Sequence, residues 1–346
     1  MNTYTAIDLF AGIGGIRLGF EEAFGSGLHT TFVSEWDKYA QATYRANFNT
    51  PCIKEANGKL DTAIAGDITQ IKEKDIPSFD ICLAGFPCQA FSIAGKKQGF
   101  QDNYYGRCRG TLFLEVIRIC QYHRPKVIFC ENVKGLLTHR KGDTFKTIVG
   151  AFTQLGYKVF YKCLNSKDFG VPQNRERVYI VCFRNDIAPK NFFFPKGMNT
   201  QKCILDILEK ETPSSKYYLS TTYLAMLERH KQAQAAKGNG FGYIIRNTAG
   251  IAGTLVCGGM GRERNLIIDK RLKDFTPVTR IKGEVNREGI RKMTPREWAR
   301  LQGFPDSFTL PLSDTQLYKQ LGNTVTVPVI KAVAKEIQKV LGKNSV

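Results

Sequence analysis

The sequence lacks the features of a membrane, secreted or metal-binding protein. No run approaches about 18 consecutive apolar residues, and the first residues, MNTYTAIDLFAGIGG, lack the basic segment and apolar run of a secretory signal. The 10 cysteines form no Cys-x-x-Cys pair, and the 4 histidines show no ligand spacing. We therefore expect a cytoplasmic protein with no membrane segment, no metal and mostly buried, reduced thiols.

Acidic residues are scarce relative to basic ones. The chain has 50 Lys and Arg against 31 Asp and Glu, which gives a formal net charge of +19. This imbalance favours a polyanionic partner, either nucleic acid or an anionic membrane surface. Composition alone leaves both partners open.

The first 185 residues alternate short β-rich runs with helical patterns. The predicted strands are 4–9, 31–34, 79–84, 126–130, 157–164 and 177–183. The predicted helices are 17–24, 37–47, 112–123 and 145–155. Strands that alternate with helices predict an α/β fold, with a Rossmann-like, mostly parallel sheet and helices on both faces.

The alternation ends near residue 187. Residues 187–260 contain Pro, Asn and Gly turns, and residues 258–300 carry 12 Lys and Arg against 6 Asp and Glu. This pattern predicts a smaller, irregular and basic second domain. The stretch 325–341 is apolar at helical spacing and is predicted to return to the first domain.

A glycine-rich turn, Asp8-Leu-Phe-Ala-Gly-Ile-Gly-Gly15, follows the first predicted strand. Its glycines let the backbone approach a ligand, and the helix that follows presents free N–H groups. Arg17 stands where a Gly-x-Gly-x-x-Gly fingerprint has its last glycine, so the motif alone also fits an ordinary tight turn. Glu35 and Asp67 follow later strands, where doubly wound sheets bind ligands. Each alone is typical of a solvated loop carboxylate, but together they predict a nucleoside pocket.

The segment Gly85-Phe-Pro-Cys88-Gln-Ala-Phe-Ser92 places a cysteine after a strand and a proline. A thiolate is a natural nucleophile for the electrophilic C6 of cytosine. No histidine lies nearby in the sequence, so activation would come from local dipoles, a cation, or proton transfer to DNA or water. A lone Pro-Cys is usually a buried thiol, but in this context we interpret Cys88 as a nucleophile.

Charged motifs follow at the ends of later strands. In Glu131-Asn-Val133, the carboxyl of Glu131 can hydrogen-bond the N3 and N4 edge of a flipped cytosine and, if protonated, donate to N3. In Gln173-Asn-Arg175-Glu-Arg177, arginine suits a carbonyl oxygen or a phosphate. The alternatives are a surface glutamate before a turn and a solvated charge cluster. The segment 320–325 opens the final helix and can cap a cofactor pocket.

In order and approximate spacing, these motifs resemble the cytosine-5 DNA methyltransferases, chiefly those of bacterial restriction–modification systems. The matching stretches cover nearly the whole chain outside 187–290. They are FAGIGG (10–15), Glu35-Trp36, Gly66-Asp-Ile68, GFPCQAFS (85–92), RGTLF (109–113), ENV (131–133), QNRERVY (173–179), REWARLQGFPDSF (296–308) and QLGNTVTVP (320–328). Thr324 stands where the family usually has Ser or Ala, which is a mild departure.

The resemblance implies the S-adenosylmethionine-dependent methyltransferase fold and a role for each matched residue. By this resemblance, Cys88 is expected to add to cytosine C6, Glu131 to engage N3 and N4, Arg177 to contact the base carbonyl and Arg175 to support the site. The resemblance further implies S-adenosylmethionine as the cofactor, double-stranded DNA as the partner, and a monomer in a bacterial cytoplasm. The cofactor-binding residues are Phe10, Gly12, Ile13, Gly14, Glu35, Trp36, Asp67, Ile68, Pro87, Leu112, Asn323 and Val325.

The resemblance also divides the chain into functional segments. These are a catalytic domain (1–186), a target-recognition domain (187–293), a hinge and DNA-backbone segment (294–319) and a C-terminal helix that returns to the catalytic domain (320–346). A loop at about 90–108 is expected to close over the site. The residues expected to touch DNA, by base or by phosphate, are Gln89, Ser92, Lys96, Thr254, Arg262 and Arg264.

Two other functions remain as alternatives. The tRNA-modifying branch of the family has the same scaffold, but it typically carries Pro-Pro-Cys, whereas this chain has Phe86 before the proline and a recognition region of about 100 residues. A non-catalytic DNA-binding protein on this fold would not need the intact set of Cys88, Glu131 and Arg177.

Overall fold

The computed structural model describes most of the chain as two compact units. The described residues are 2–49, 53–54, 60–61, 64–87, 103–104, 107–108, 112–198, 201–258, 261–279 and 281–343, with backbone alone at 53–54, 60–61, 103–104 and 107–108. The first unit comprises Met1–Asn165, Glu176–Gly197 and Val327–Val346, and the second comprises Ser166–Arg175 and Met198–Thr326. Within the described ranges, no helix is both long and apolar enough to cross a membrane.

The regular elements are concentrated in the first unit. The strands are β1 (Tyr4–Leu9), β2 (Leu28–Ser34), β3 (Ile53–Lys54), β4 (Leu60–Asp61), β5 (Ile81–Ala84), β6 (Asn103–Tyr104), β7 (Arg107–Cys108), β8 (Val127–Val133), β9 (Tyr157–Asn165), β10 (Glu176–Arg184), β11 (Leu266–Ile268) and β12 (Ile290–Lys292). The helices are α1 (Gly15–Phe24), α2 (Lys38–Asn47), α3 (Phe113–His123), α4 (Asp143–Gln154), α5 (Thr221–Ala236), α6 (Pro295–Leu301), α7 (Asp314–Asn323) and α8 (Val327–Lys343).

Six strands of the first unit form one mainly parallel sheet in the order β2-β1-β5-β8-β10-β9. Strands β2, β1, β5 and β8 are parallel, whereas β10 is antiparallel to both β8 and β9. Leu9 pairs with Ser34 and with Ala84, so the carboxyl ends of β1, β2 and β5 lie level. Arg177, at the start of β10, pairs with Val133 at the end of β8. These strand ends form one border of the sheet, hereafter the carboxyl edge.

Helices cover both faces of this sheet. Successive side chains of each strand point to opposite faces, so each strand contributes packing surface to both. On one face, buried side chains of α3 and α4, such as Phe113 and Phe152, pack against alternate residues of β1, β5, β8 and β10. On the other face, Phe20 of α1 packs edge-on against Phe129 of β8, with ring centroids 5.0 Å apart. The prediction of a mostly parallel α/β sheet with helices on both faces is confirmed.

Helix α8 packs closely against α1 within the first unit. A Cβ atom at Gly19 would lie only 2.6 Å from the side chain of Ile330, so the two helices approach through a glycine. Lys331 forms an ion pair with Glu22 at 3.0 Å. The final apolar segment of the chain therefore contributes to the unit that contains the N-terminal strand.

The second unit contains the helices α5, α6 and α7 and short strands, joined by irregular segments. Its two-stranded sheet, β11 and β12, is antiparallel. Leu219, Leu227, Leu266 and Ile290 form a small apolar cluster there. Its interior also contains charged groups, since Arg291 is fully buried and contacts the carboxylates of Glu297 at 2.7 Å and Asp269 at 2.9 Å.

Candidate active site

The carboxyl edge of the first unit collects most of the predicted site residues. The turn after β1 contains Phe10 and Gly12, and Glu35 directly follows β2. The described part of the turn after β5 ends at Pro87. Glu131 lies near the end of β8, and Arg177 lies at the start of β10. The parallel order and level register of the strands bring these segments together, although they are far apart in the sequence.

The glycine-rich turn after β1 has three residues in the left-handed region. Phe10, Gly12 and Gly14 have φ values of 57°, 56° and 85°. A Cβ atom at Gly14 would lie 2.3 Å from the ring of Phe48, so packing requires glycine there. A Cβ atom at Gly12 would meet nothing within 4 Å. Gly12 therefore leaves open space beside the backbone, where a ligand can approach the turn.

Glu35 connects the turns after β1 and β2. Its Oε2 accepts a hydrogen bond from the Gly12 N–H at 2.7 Å, and its Oε1 accepts one from the Asp37 N–H at 2.7 Å. Burial raises the pKa of the Glu35 carboxyl, while the N–H groups of Asp37 and Gly12 oppose this rise. The neighbouring Trp36 is a large aromatic residue that remains 57% exposed. A buried carboxylate beside an exposed ring suits a nucleoside, through its hydroxyls and its base.

Asp67 and Ile68 lie next to Glu35 through backbone pairing. The Ala65 N–H donates to the Val33 carbonyl at 2.9 Å, and the Glu35 N–H donates to the Ala65 carbonyl at 2.9 Å. The Asp67 carboxylate accepts from the backbone N–H of Thr69 at 3.1 Å and from its hydroxyl at 2.9 Å. Ile68 is buried. The predicted nucleoside pocket thus has two acidic residues on adjoining loops.

The other predicted cofactor residues are distributed over both units. Ile13 is buried in the glycine turn of the first unit. Pro87 and Leu112 are half-buried there, and Leu112 directly precedes α3. Asn323 and Val325 belong to the second unit. In that unit, the Cys257 thiol donates to the Asn323 side-chain oxygen at 2.6 Å.

Glu131 and Arg177 form an ion pair at the carboxyl edge. The distance between Arg177 Nε and Glu131 Oε1 is 3.3 Å, and the two side chains are 14% and 11% exposed, respectively. They lie diagonally across the neighbouring strands β10 and β8, because Arg177 pairs with Val133 and Tyr179 with Glu131. The pair therefore combines a hydrogen-bonding carboxyl with a cation that can bind a carbonyl oxygen or an anion.

Asn132 is a site residue that the sequence reasoning did not single out. Its buried Nδ2 donates to the Phe86 carbonyl at 3.2 Å, and its Oδ1 accepts from the Val133 N–H at 2.9 Å. It thereby joins the end of β8 to the turn that leads to Cys88. Its position between Glu131 and Val133 in the Glu-Asn-Val motif could have identified it from the sequence.

Cys88, Gln89, Ser92 and Lys96 lie outside the described residues. Within the predicted loop at 90–108, the described backbone forms the antiparallel pair of β6 and β7. The described residues that approach the cysteine in sequence are Gly85, Phe86 and Pro87. The hydrogen bond from Asn132 to the Phe86 carbonyl holds the backbone of this segment.

Arg175 lies in the second unit, where it binds backbone carbonyls. Its Nη1 donates to the Leu255 carbonyl at 2.8 Å, and its Nη2 donates to the Thr324 carbonyl at 2.7 Å. Gln173 acts in the same way, since its side chain donates to the Leu301 carbonyl at 2.9 Å and accepts from the Leu255 N–H at 3.1 Å. These contacts bind Arg175 to the backbone of the second unit, and its role in the site stays a prediction.

The predicted DNA-contacting residues of the second unit lie near aromatic rings and backbone. The Thr254 hydroxyl donates to the Asn174 carbonyl at 2.7 Å. The guanidinium carbons of Arg262 and Arg264 each lie 5.5 Å from a ring centroid, that of Tyr318 and that of Phe241, respectively.

Arg246 joins this group, although nothing in the sequence singled it out. Its Nε donates to the Arg264 carbonyl at 3.2 Å. Burial lowers the pKa of Arg246, and the nearby charge of Arg264 lowers it further. The positive charge of Arg264 thus acts on the partly buried Arg246 guanidinium, and like charges that act on each other favour an anionic partner.

Comparisons with known proteins agree with this geometry. A family model described as C-5 cytosine-specific DNA methylase matches residues 4–339. Type II methyltransferase M.HpaII of Haemophilus parainfluenzae is 54% identical over 343 residues, which cover 98% of this chain and 90% of that protein. Type II methyltransferase M.HhaI of Haemophilus parahaemolyticus is 38% identical over 339 residues, which cover 96% and 93%.

Solved structures show the same fold at low sequence identity. The methyltransferase EhMeth of Entamoeba histolytica matches with a TM-score of 0.72 and 19% identity, over 99% of both chains. The Dnmt2 methyltransferase of S. pombe matches with a TM-score of 0.69 and 18% identity, over 100% of both. Because the family model spans nearly the whole chain and the bacterial relatives share extensive identity with it, the chain belongs to the C-5 cytosine-specific DNA methylase family.

Proposed function

We propose that the protein transfers a methyl group from S-adenosylmethionine to C5 of a cytosine flipped out of double-stranded DNA, through a covalent bond between Cys88 and C6. The observation that carries this proposal is the Glu131–Arg177 pair, which shares the carboxyl edge with the glycine-rich turn and with the turn that leads to Cys88. This arrangement offers a base-binding pair and a nucleoside pocket along one border of the sheet, from which the turn toward the proposed nucleophile also starts.

The residues of the carboxyl edge fit S-adenosylmethionine. The open space beside Gly12 admits a ligand close to the backbone, and the Glu35 carboxylate can accept hydrogen bonds from ribose hydroxyls. The exposed ring of Trp36 can stack on adenine. The cofactor, when bound, supplies an electrophilic methyl group. Asn323 and Val325 remain predicted members of the pocket.

Each side chain at the site then has a separate role in the reaction of the base. Extrusion of the cytosine costs a few kcal/mol of stacking and pairing. The Cys88 thiolate forms a bond to C6, and the electron pair of the C5–C6 double bond makes C5 nucleophilic. Glu131 binds the N3 and N4 edge, Arg177 binds the O2 carbonyl, and Asn132 positions the turn before the thiol. After methylation, water removes the C5 proton, the double bond re-forms and Cys88 leaves.

The two units would contribute differently to DNA binding. We assign target recognition to 187–293, with Thr254, Arg262 and Arg264 among its contacts, and assign backbone contact to the segment 294–319. Gln89, Ser92 and Lys96 would contact DNA beside the nucleophile. Because the relatives M.HpaII and M.HhaI are named Type II methyltransferases, we further propose that the protein modifies host DNA in a restriction–modification system.

Methylation mapping in cells tests the proposed reaction. Bisulfite sequencing of DNA from cells that express the protein should reveal 5-methylcytosine at one recurrent sequence. Cells that express Cys88→Ala should show none. Cytosines that remain unmethylated with the wild-type protein, expressed in folded form, would contradict the proposal.

A transfer assay distinguishes the DNA reaction from the tRNA alternative. Purified protein is incubated with S-[methyl-³H]adenosylmethionine and either duplex DNA or tRNA, and the tritium incorporated is counted. We expect incorporation into duplex DNA. Incorporation into tRNA with none into DNA would establish the alternative instead.

A further inference from the structure

A basic turn between β8 and α4 lies at the carboxyl edge. The chain leaves β8 after Val133, forms a short turn at 134–142 and enters α4. Because β9 runs parallel to β8, α4 must return the chain to the opposite border of the sheet before β9 begins. The turn before α4 is therefore on the same border as Glu131 and Arg177. An ion pair of 2.9 Å between Lys134 and Glu176 also joins its first residue to the start of β10.

Two adjacent basic residues of this turn adopt an unusual backbone conformation. Arg140 has φ 48° and ψ 49°, and Lys141 has φ 56° and ψ 25°. Residues other than glycine, asparagine and aspartate rarely adopt this left-handed region, and such conformations cluster at functional sites. Glycine, asparagine or aspartate at these two positions would relieve the backbone strain. The stability of the fold therefore does not explain why arginine and lysine occur here.

The turn is firmly held on both sides, whereas its two cations are exposed. Before them, Leu136 is buried in the core of the first unit. After them, His139 Nδ1 and the Thr144 hydroxyl lie 2.7 Å apart, and α4 begins. Arg140 and Lys141 are both exposed, and within the described part of the chain neither forms an ion pair. Their charges are thus presented to solvent on a fixed backbone.

We propose that Arg140 and Lys141 bind backbone phosphates of the DNA that flanks the flipped cytosine. This inference rests on the proposed function, because it takes the carboxyl edge as the border that faces DNA. A duplex presents a regular row of phosphates, and two adjacent cations at a rigid turn can neutralise two of them without reading sequence. The first unit would then hold DNA directly, in addition to any contacts of the second unit.

The salt dependence of DNA binding tests this site without knowledge of the recognised sequence. The affinity of the full chain for a short duplex of arbitrary sequence is measured over a range of salt concentrations. For Arg140→Gly with Lys141→Gly, the plot of log affinity against log salt should be shallower than for the wild type by about 1.8, since each phosphate contributes about 0.9. The charge-preserving pair Arg140→Lys with Lys141→Arg should keep the wild-type slope.

Glycine keeps the turn foldable, because it adopts the left-handed region without strain. The unfolding temperature of the glycine variant should therefore match that of the wild type. A control, Lys335→Ala with Lys339→Ala on the exposed face of α8, removes the same charge and should leave the slope unchanged.

The outcomes separate the two proposals. A wild-type slope in the glycine variant, or an equal loss of slope in the α8 control, would overturn the phosphate site alone. A wild-type protein that binds duplex DNA with no salt dependence would overturn the proposed function as well.

Discussion

The two units of the protein are stabilised in different ways. The first unit has a continuous apolar core between a six-stranded sheet and its helices, with side chains such as Ile7, Ile128 and Ile180 fully buried. The second unit has short strands, and beside apolar side chains such as Leu227 and Trp298 it also buries several charged and amide side chains. In the first unit the sheet register places the site. In the second, individual side chains hold irregular backbone in place.

Arg291 shows how the second unit accommodates a buried charge. Its guanidinium is fully buried and binds both carboxylate oxygens of Glu297, at 2.7 and 2.8 Å, as well as Asp269 at 2.9 Å. Burial would raise the pKa of Asp269, but hydrogen bonds from Arg271 and Arg291 outweigh this and lower it to about 2. Glu297 also closes the capping box of α6 with Thr294. One ion cluster therefore connects β11, β12 and α6.

Because the two units are stabilised differently, we expect them to respond differently to substitution. Removal of a charge at the carboxyl edge of the sheet should harm chemistry more than folding, because the apolar core remains intact. Removal of a buried charge in the second unit should harm folding first, because its former partners are left buried and unpaired.

Glu131→Gln should have the largest effect on turnover. The amide preserves shape but cannot supply a proton to cytosine N3, so kcat for methyl transfer should fall by about 10²–10⁴-fold. Thermal unfolding should change little, because the side chain lies at the edge of an intact core. A variant with kcat within tenfold of the wild type, measured by tritium transfer, would remove Glu131 from the proposed chemistry.

Arg291→Met should have the largest effect on stability. Loss of the cation leaves Glu297 and Asp269 buried without their main partner, which should cost about 3–5 kcal/mol. Urea unfolding measures this change. The matched substitution Arg271→Met removes a partner of Asp269 whose side chain is 37% exposed, and it should cost about 1 kcal/mol or less. Equal losses for the two variants would contradict the proposed dependence of the second unit on buried charge.

The buried Asp8 carboxyl should make the stability of the first unit depend on pH. Burial raises its carboxyl pKa to about 7, against the lowering effects of Arg17 and of the Tyr44 hydroxyl, which donates to its Oδ2 at 3.1 Å. The folded protein therefore holds a proton that the unfolded chain releases, and wild-type stability should fall as pH rises from about 4 to 7.

Asp8→Asn should remove this pH dependence. Its stability relative to the wild type should increase by about 1–4 kcal/mol between pH 4 and pH 7, and it should then level off. Urea unfolding at several pH values measures the difference. A difference that does not change with pH would show that Asp8 does not titrate on folding.

Asn132→Ala should have a moderate effect on stability and a selective effect on catalysis. The substitution leaves the Phe86 carbonyl and the Val133 N–H without their side-chain partner, at a cost of about 1–3 kcal/mol. Because the turn before Cys88 loses its support, kcat should fall while the KM for S-adenosylmethionine changes little. Asn132→Asp retains the acceptor for Val133 and should recover part of the stability. A change confined to KM would argue against a positioning role.

Much of the first unit could be predicted from the sequence, because its local patterns and its packing agree. The apolar run that forms β8 and the amphipathic spacing of α3 lie close to their predicted positions. The predicted order of strands and turns also placed Glu35 and Glu131 at one border of a sheet. The antiparallel direction of β10 was not predicted, since apolar runs indicate strands but not their direction.

The side-chain contacts of the second unit could not be predicted in the same way. Gln173 and Arg175 bind the Leu255 backbone, about 80 residues away in the chain. Such hydrogen bonds depend on tertiary structure and leave no periodic pattern. The same is true of Arg246, whose hydrogen bond to the Arg264 carbonyl is visible only in the structure. A motif can identify a polar residue, but its hydrogen-bond partners must come from the fold.

The most direct test of the central claim uses duplex DNA in which 5-fluorocytosine replaces cytosine. Fluorine at C5 blocks the final elimination, so attack at C6 should trap the protein on the DNA in the presence of S-adenosylmethionine. The account predicts a complex that survives denaturing gel electrophoresis with the wild-type protein and disappears with Cys88→Ala. Methyl transfer to normal DNA without any trapped complex, or a complex that persists in Cys88→Ala, would contradict it.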